Sequence, residues 1–422
     1  MKKFFALLLS LAMVLALVAC GQKETTTPDD TQTPDDTAPE VEYKVAMITD
    51  YGDITDQSFN QTTYEACKAF AEDNSIEFSY FKPAGDNTAD RVAMIEKAVD
   101  EGFNVIVMPG YAFGGAIVEA APEFPDVKFI ALDVAAGDLL ETAVAKAGES
   151  YDYTPENWDL NKYVDMSNVY CAVYQEELCG YMAGYAAVKL GYKNLGFLGG
   201  MAVPAVVRYG YGFVQGVDAA AADMGLTDVK LNYIYGGQFF GDADITAVMD
   251  TWYAGGTEVV FACGGGIYTS AVDAAKKADG KVIGVDVDQA GVIAKYAAGD
   301  GADEATIAQY LDLTVTSAMK GLYPATYDTL NDVINNGNWE KYVGKIETLG
   351  LVSGTDPEAN YVQIPMGDGT QWSDSFTQDD YKAMVKDMFD GKITVSNNTS
   401  SDVKAASFAT VITVDDQGSI KG

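Results

Sequence analysis

The stretch YKVAMITDYGDITDQSFNQTTYEACKAFAEDN, from Tyr43 to Asn74, contains the unit from which the fold is predicted. It begins with a continuous apolar run, Tyr43–Thr49, which is typical of a strand buried on both faces of a parallel sheet. A polar loop follows, and the segment Thr62–Asn74 then has apolar residues at helical spacing. A buried strand followed by an amphipathic helix is the repeating unit of an α/β protein.

The same unit recurs along the chain. Further strands are predicted at Glu77–Phe81, Val105–Met108, Lys128–Leu132, Asn168–Val173, Leu195–Leu198, Val229–Ile234, Glu258–Ala262 and Val282–Val285. Further helices are predicted at Arg91–Glu101, Leu178–Lys189, Gly210–Asp223 and Thr269–Lys277. Thr370–Val395 contains another amphipathic helix, and a last apolar strand is predicted at Phe408–Val414. The alternation predicts parallel sheets covered by helices.

The repeating pattern breaks once, at residues 135–167, where polarity is mixed and periodicity weak. We therefore predict two lobes, each with its own sheet. The first comprises residues 43–167 and about 314–340, and the second 168–313 and about 341–422. The chain is expected to cross between them near residues 165–168, 313–317 and 340–345. Ligands of such sheets bind beyond the carboxyl ends of the strands, which here predicts a cleft between the lobes.

The first 42 residues predict export. Lys2 and Lys3 precede an apolar run that is too short to span a bilayer comfortably, so residues 1–19 are predicted to be a signal peptide. The run ends in LVACG, which resembles a bacterial lipobox; this resemblance implies cleavage before Cys20 and acylation of that residue, for example by palmitate. The alternative is an ordinary secretory signal that ends in cysteine. Residues 20–42 repeat Thr-Pro-Asp-Asp and predict a disordered acidic linker.

Composition narrows the function. The chain has 62 Asp and Glu against 27 Lys and Arg, so a nucleic acid would be repelled. It has no histidine, which removes the commonest general base and metal ligand; no catalytic residue, metal site or cofactor is predicted. Five cysteines are present, of which Cys20 belongs to the lipobox-like segment; the other four have no CxxC spacing. Cys171 and Cys179 either form a disulfide or, like Cys67 and Cys263, are buried free thiols.

Candidate ligand contacts follow the predicted strands. Asp50 would direct its carboxylate into the cleft, and Ser58 can cap the next helix or contact the ligand. Phe59 offers a ring that can stack on a flat heterocycle, and the Asn60 amide offers both a donor and an acceptor to a base edge. The alternatives are a turn or cap role for Asp50 and Ser58 and a core position for Phe59.

Other strand ends add backbone and carboxylate contacts. Gly110 permits close approach of the ligand, and Asp133 can accept hydrogen bonds or form a turn. Gly265 lies in a Gly-Gly-Gly run whose amides can face a ligand, but no Walker motif follows, which argues against a phosphate. Asp286 and Asp288, at alternate positions, are the strongest polar candidates because a carboxylate can accept both ribose hydroxyls. We favour Asp286; the alternative is that both end the strand in a turn.

A family resemblance rests on six blocks that keep their order between about residues 43 and 355. They are VAMITDYGDITDQSFNQ (45–61), EELCGYMAGYAA (176–187), LGFLGGMAVPAVVRYGYGFVQGV (195–217), FACGGGIYTSAVDAAKK (261–277), IGVDVDQ (283–289) and TSAMKG (316–321). Together they resemble the basic membrane protein family, which includes bacterial purine nucleoside receptor lipoproteins. The resemblance implies the type I periplasmic-binding-protein fold, with two Rossmann-like lobes joined by hinge strands.

The resemblance also implies a function and two more contacts. An aromatic residue in YGGQFFGD (235–242) would sandwich the base with Phe59; counting from Asp242 favours Phe240, and one extra loop residue would favour Phe239. Lys320 would contact the ribose. The implied protein is a monomeric, lipid-anchored receptor on the extracytoplasmic face of the cell membrane that delivers a purine nucleoside to an ABC permease. Alternatives are a receptor for riboflavin or a sugar, a nucleoside-processing enzyme, and a surface adhesin.

Overall fold

The computed structural model describes residues 42–421, of which residues 43–421 form two α/β lobes. The predicted signal peptide, Cys20 and the linker up to residue 41 lie outside the described residues. Among the helices of the described part, none is both long enough and apolar enough to cross a membrane.

The first lobe is built on a parallel sheet. Its strands are β1 (Lys44–Ile48), β2 (Glu77–Phe81), β3 (Val105–Pro109), β4 (Lys128–Leu132), β5 (Val169–Tyr174) and, late in the chain, β11 (Lys345–Leu349). They lie side by side in the order β11-β5-β4-β3-β1-β2. All five residues of β3 are buried, as expected for a central strand with helices on both faces.

The second lobe contains a sheet of mixed direction. Its strands are β6 (Asn194–Gly199), β7 (Lys230–Tyr235), β8 (Val259–Cys263), β9 (Lys281–Asp286), β10 (Thr314–Lys320), β12 (Val362–Gln363) and β13 (Thr413–Ser419). Their order is β12-β10-β9-β8-β6-β7-β13, and only the short β12 runs antiparallel to its neighbour. The predicted last strand at Phe408–Val414 was placed too early: the strand begins at Thr413 and pairs with β7.

Helices cover both sheets. They are α1 (Phe59–Asn74), α2 (Thr88–Asp100), α3 (Gly114–Ala120), α4 (Ala136–Lys146), α5 (Leu160–Tyr163), α6 (Glu176–Lys189), α7 (Pro204–Asp223), α8 (Ala243–Ala254), α9 (Tyr268–Ala278), α10 (Ala290–Ala298), α11 (Glu304–Ala308), α12 (Leu322–Ile334) and α13 (Gln378–Phe389). Short 3-10 turns occur at Tyr111–Phe113, Ala121–Glu123, Pro155–Asn157, Leu311–Leu313, Trp339–Lys341, Pro357–Ala359 and Ala405–Phe408. The nine strands predicted before residue 300 are present, each within one residue at either end.

The predicted division between the lobes is wrong in three places. β5 pairs with β4, so the first sheet extends to Tyr174 and residues 135–167 are an ordinary connection between neighbouring strands. β10 pairs with β9 in the second sheet, and β11 pairs with β5 in the first. Of the segment 314–340, helix α12 does pack on α1 in the first lobe. The errors arose because a run of apolar residues indicates a strand but does not show which other strand it pairs with.

The chain crosses between the lobes after the carboxyl ends of three strands, later than the predicted positions near 165–168, 313–317 and 340–345. The crossings are at Gln175, at Gly321 and in the segment 350–361. They are bonded to one another: the Gln175 N–H donates to the carbonyl of Leu349, just before the third crossing, at 3.0 Å, and the Gly321 N–H donates to the carbonyl of Tyr361, at its end, at 2.7 Å. The three connections therefore form one hydrogen-bonded bundle between the lobes.

Candidate ligand-binding cleft

Residues that follow the strands of both sheets line a cavity of about 440 Å³. This volume is typical of small-molecule sites. The structure brings ten of the predicted site residues to its wall: Asp50, Phe59, Asn60, Gly110, Asp133, Phe239, Phe240, Gly265, Asp286 and Lys320. Ser58 and Asp288, the other two, do not line it.

One wall of the cleft carries a carboxylate and an amide side by side. Asp50 Oδ1 accepts hydrogen bonds from the Gly52 N–H at 2.5 Å and from Asn60 Nδ2 at 3.3 Å. Burial raises the pKa of Asp50, although these hydrogen bonds oppose the shift. Asn60 Oδ1 is buried and has no partner. Gly110, with φ of 123°, lies against Asp50 and keeps the space beside it open. The pair thus offers an acceptor to a ligand on this wall.

The N-terminus of α1 is capped by Asp56, so the capping alternative considered for Ser58 is wrong. The Asp56 carboxylate accepts from the backbone N–H groups of Ser58, Asn60 and Gln61 at 2.9–3.0 Å. The Ser58 side chain makes no cap hydrogen bond. It is fully buried, and its Oγ donates to Asp286 Oδ2 at 2.5 Å. Because Asp56 already satisfies the first turn of the helix, the Ser58 hydroxyl is free to bond to the other lobe.

Lys320 ends β10 and is surrounded by carboxylates. Its Nζ lies 2.5 Å from Asp133 Oδ2, 3.5 Å from Glu176 Oε1 and 3.7 Å from Asp286 Oδ1. Burial lowers the pKa of Lys320, but the three carboxylates outweigh it and the pKa lies above its usual value. The ammonium also lies 4.6 Å from the centre of the Phe59 ring, within cation–π range. Lys320 is therefore a buried cation that lines the cavity.

Asp286 is the last residue of β9 and turns out of the strand with φ of 65°. Its Oδ2 accepts from Ser58, and its Oδ1 accepts from the Tyr209 hydroxyl at 3.2 Å. Asp133 also has positive φ, 59°, at the end of β4, and its Oδ1 is buried without a partner. Strained backbone at polar residues beyond strand ends is a common property of ligand sites.

Asp286 and Asp288 do not point to the same face, although they stand at alternate positions in the sequence. The strand ends at Asp286, so the two-residue alternation of side chains stops there. Asp288 Oδ1 accepts from the Ala290 N–H at 3.1 Å, at the start of α10, and its carboxylate packs near Gly369. Asp288 therefore has a turn role away from the cavity.

Aromatic rings from both lobes line the cleft. Phe59 opens α1 in the first lobe, and Phe239 and Phe240 lie in the β7–α8 loop of the second. The Phe239 ring packs against Gly200 and Gly264, where an added Cβ would lie 2.4 Å and 2.9 Å from ring carbons. Phe240 is 54% exposed. The glycines thus form a floor that seats Phe239 inside the cavity.

Sequence reasoning missed several charged residues of the site, among them Arg208, Glu176 and Asp138. Arg208 lines the cavity, and its Nε donates to Glu176 Oε2 at 2.6 Å. Burial raises the pKa of Glu176, while Arg208 and Lys320 oppose the shift. Asp138 also lines the cavity, and burial raises its pKa to about 7. Glu176 and Arg208 both lie in the segments that resemble the family. A charged residue among the apolar residues of a helix was the signal by which the sequence could have indicated them.

The four cysteines in the described part of the chain are free and buried. The free-thiol alternative is thereby confirmed for Cys171 and Cys179, and the disulfide alternative is wrong. Burial raises the pKa of each thiol, so none is a ready nucleophile.

The sequence profile described as "Bmp: ABC transporter substrate-binding protein PnrA-like" matches residues 43–355. This match covers most of the chain and all six resemblance blocks. The chain belongs to the Bmp family of ABC transporter substrate-binding proteins. The resemblance to basic membrane proteins is therefore confirmed.

Individual members of the Bmp family match over most of their length. The "ABC transporter nucleoside-binding protein BmpA" of Lactococcus lactis subsp. cremoris (strain MG1363) is 26% identical over 369 residues, covering 84% of this chain and 90% of the relative. "Basic membrane protein B" of Borreliella burgdorferi is 26% identical over 333 residues, covering 76% and 83%. Relatives from Pyrococcus carry the name lipoprotein.

Solved structures confirm the fold expected of a Bmp protein. A solute-binding protein of an ABC transporter system from Aeropyrum pernix K1 has a TM-score of 0.61 at 17% identity, covering 85% of this chain and 95% of that one. One from Conexibacter woesei DSM 14684 has a TM-score of 0.57 at 21% identity, covering 84% and 99%. The predicted type I periplasmic-binding-protein fold is confirmed.

Proposed function

We propose that this Bmp protein is a lipid-anchored receptor that captures a purine nucleoside in the cleft and delivers it to an ABC permease. The observation that carries the proposal is the pairing of Asp286 and Lys320 beside the rings of Phe59 and Phe239 in one cavity. A nucleoside has a flat heterocycle joined to a vicinal diol, and this arrangement offers a partner to each.

The aromatic residues would hold the base. Phe59 and Phe239 come from different lobes, so closure would bring one ring to each face of a heterocycle. Asp50 and the unpartnered Asn60 Oδ1 lie beside Phe59 and would accept hydrogen bonds from ring or exocyclic N–H groups. Phe239 is preferred to Phe240 because its ring is seated on Gly200 and Gly264.

The charged residues would hold the ribose. Asp286 retains acceptor capacity on both oxygens, since each carboxylate oxygen has two lone pairs and accepts one hydrogen bond from a neighbouring hydroxyl. Lys320 donates to Asp133 and lies within reach of Asp286, so its remaining donors can meet a sugar oxygen. The diol would thus be bound by charge-assisted hydrogen bonds, which are roughly twice as strong as neutral ones.

Binding without catalysis fits the same contacts. The carboxylates of Asp133, Glu176 and Asp286 are engaged with Lys320, Arg208 or Ser58. No group of His, Cys, Asp and Glu placed to hold a metal ion occurs among residues 42–421. Metal-activated water is the usual nucleophile in nucleoside hydrolysis, and these residues are not arranged to hold one.

Anchoring and delivery complete the proposal. Acylation of Cys20 would tether the exported protein to the outer face of the cell membrane, and residues 21–42 would give it reach. Closure of the lobes about the three bonded crossings would signal occupancy to the permease. We expect palmitate labelling of the full-length protein in its cell and its loss in Cys20→Ala; equal labelling of both would contradict the anchor.

The ligand is tested by titration calorimetry with adenosine, guanosine, inosine, cytidine, ribose and riboflavin. We expect heat from purine nucleosides, weaker binding of cytidine because its ring offers less stacking area, and none with ribose alone. Absence of binding by every nucleoside would contradict the proposal, and tight binding of riboflavin or ribose alone would replace it with one of the other ligands.

A further inference from the structure

Residues after the family match add a strand beside the cleft. β13 pairs with β7 in parallel, from Thr413 opposite Lys230 to Ser419 opposite Tyr235. The Ile420 N–H then donates to the Tyr235 carbonyl at 2.8 Å. Because the two strands are parallel, both reach the same edge of the sheet. The next residue, Lys421, therefore lies at the edge where the second lobe contributes its cleft residues.

Lys421 is bonded to the loop that carries the aromatic pair. Its Nζ donates to Gln238 Oε1 at 2.9 Å and forms an ion pair with Asp242. Its backbone packs against Gly237, where an added Cβ would lie 2.8 Å from the Lys421 carbonyl oxygen. The two side chains of the ion pair are 33% and 27% exposed, so water only partly screens them. The hydrogen bond from the Lys421 ammonium is the main reason why the pKa of Asp242 lies below its usual value.

Gln238 and Asp242 flank the aromatic pair and are bonded to each other. Gln238 Nε2 donates to Asp242 Oδ2 and to the Phe240 carbonyl, each at 2.9 Å. Asp242 Oδ1 caps α8 by accepting from the N–H groups of Asp244 and Ile245. The loop is thus anchored to α8 at one end, and Lys421 joins both flanking side chains from outside the loop.

We propose that Lys421 is a positioning residue for the ligand: by bridging Gln238 and Asp242, it holds the loop so that Phe239 stays seated on Gly200 and Gly264 before a ligand arrives. A ring that is fixed in advance loses less conformational entropy on binding, which strengthens affinity. The consequence for affinity rests on the proposed function, in which Phe239 stacks on a base. The order of the loop in the ligand-free protein does not depend on that function.

Hydrogen–deuterium exchange of the ligand-free protein tests the positioning directly. Lys421→Met keeps an unbranched stem and removes the ammonium. The control is Lys392→Met. The Lys392 ammonium pairs with Asp387 in an exposed part of the same C-terminal region. We expect faster exchange at residues 238–242 in Lys421→Met only, and Lys421→Arg should restore slow exchange. Unchanged exchange in Lys421→Met would overturn the proposal.

A double-mutant cycle tests the link to the ligand, with inosine as the probe. Lys421→Met should weaken inosine binding about fivefold, in line with a partly exposed ion pair. If Lys421 acts through the ring, the same change in a Phe239→Ala background should have no further effect. Fully additive losses would overturn the role in positioning Phe239. If the wild-type protein binds no nucleoside, the proposed function fails, and the exchange experiment still decides the role of Lys421.

Discussion

The Ser58 hydroxyl donates to the Asp286 carboxylate across the cleft, at 2.5 Å from Oγ to Oδ2. The bond joins the start of α1 in the first lobe to the end of β9 in the second, and both side chains are buried. Beside it, Gln289 Nε2 donates to the Gln57 carbonyl at 3.1 Å. The two lobes are therefore in direct contact at the candidate site, and Asp286 is shared between interlobe contact and ligand.

Asp286→Asn should weaken nucleoside binding by about 1.5–3 kcal/mol, or roughly 10- to 100-fold in Kd, because the charge that accepts the ribose hydroxyls is lost. The matched control is Asp288→Asn, in the same segment but directed away from the cavity. We expect its Kd to equal that of the wild type in calorimetry. Equal losses in both variants would show that Asp286 has no special role.

Phe239→Ala should cost about 1–3 kcal/mol of nucleoside binding, the range measured for a base stacked on an aromatic side chain. Phe240→Ala, which removes a ring that is 54% exposed, should cost much less. Calorimetry of the two single variants with the same purine nucleoside makes the comparison. The reverse order of the two losses would assign the stacking role to Phe240.

Lys320→Met should reduce the free energy of unfolding by about 3–5 kcal/mol, because it leaves buried carboxylates without their cation. Urea denaturation of the ligand-free protein measures this independently of any ligand. Lys277→Met is the control: its ammonium pairs with Asp250 at the surface, and its removal should cost at most about 1 kcal/mol. A similar small loss for Lys320→Met would contradict the buried charge network.

The Asp138 carboxyl should make the free energy of unfolding fall as the pH rises. Burial raises its pKa from 3.8 to about 7 in the folded protein. Between these values the folded state keeps a proton that the unfolded state has lost, so this group lowers the free energy of unfolding by about 1.4 kcal/mol per pH unit. Above pH 7 both states are ionised and the effect is constant.

Urea denaturation at intervals from pH 4 to pH 8 checks this sign. We expect the free energy of unfolding of Asp138→Asn to fall less steeply between pH 4 and pH 7 than that of the wild type. Asp126→Asn, on the exposed turn before β4, is the control and should follow the wild type. Parallel pH profiles for Asp138→Asn and the wild type would contradict the raised pKa.

The strands were predictable because burial on both faces leaves a local mark, a run of apolar residues such as Val105–Pro109. Which sheet each strand joins was not, since β5 and β11 are paired although they are about 175 residues apart, as in the pair Tyr170 and Lys345. Nothing in either strand's own pattern encodes that distant partner. The lobe boundaries and crossings were misplaced for this reason.

The site, too, has residues that the sequence could predict and residues that it could not. Asp286 was predictable from its place after a buried strand, and Lys320 from the family resemblance. The hydroxyl of Ser58 looked like a helix cap because its true partner lies 228 residues away. Glu176 opens an apolar helix, where an acidic residue ordinarily stays in solvent and favours the helix dipole; only the fold reveals Arg208 and Lys320 beside it.

A crystal structure of the protein grown with inosine decides whether the cleft binds a nucleoside. We expect the base between the rings of Phe59 and Phe239, with ribose hydroxyls within hydrogen-bond distance of Asp286. An empty cleft at saturating inosine, or a nucleoside bound elsewhere on the protein, would contradict the proposed function.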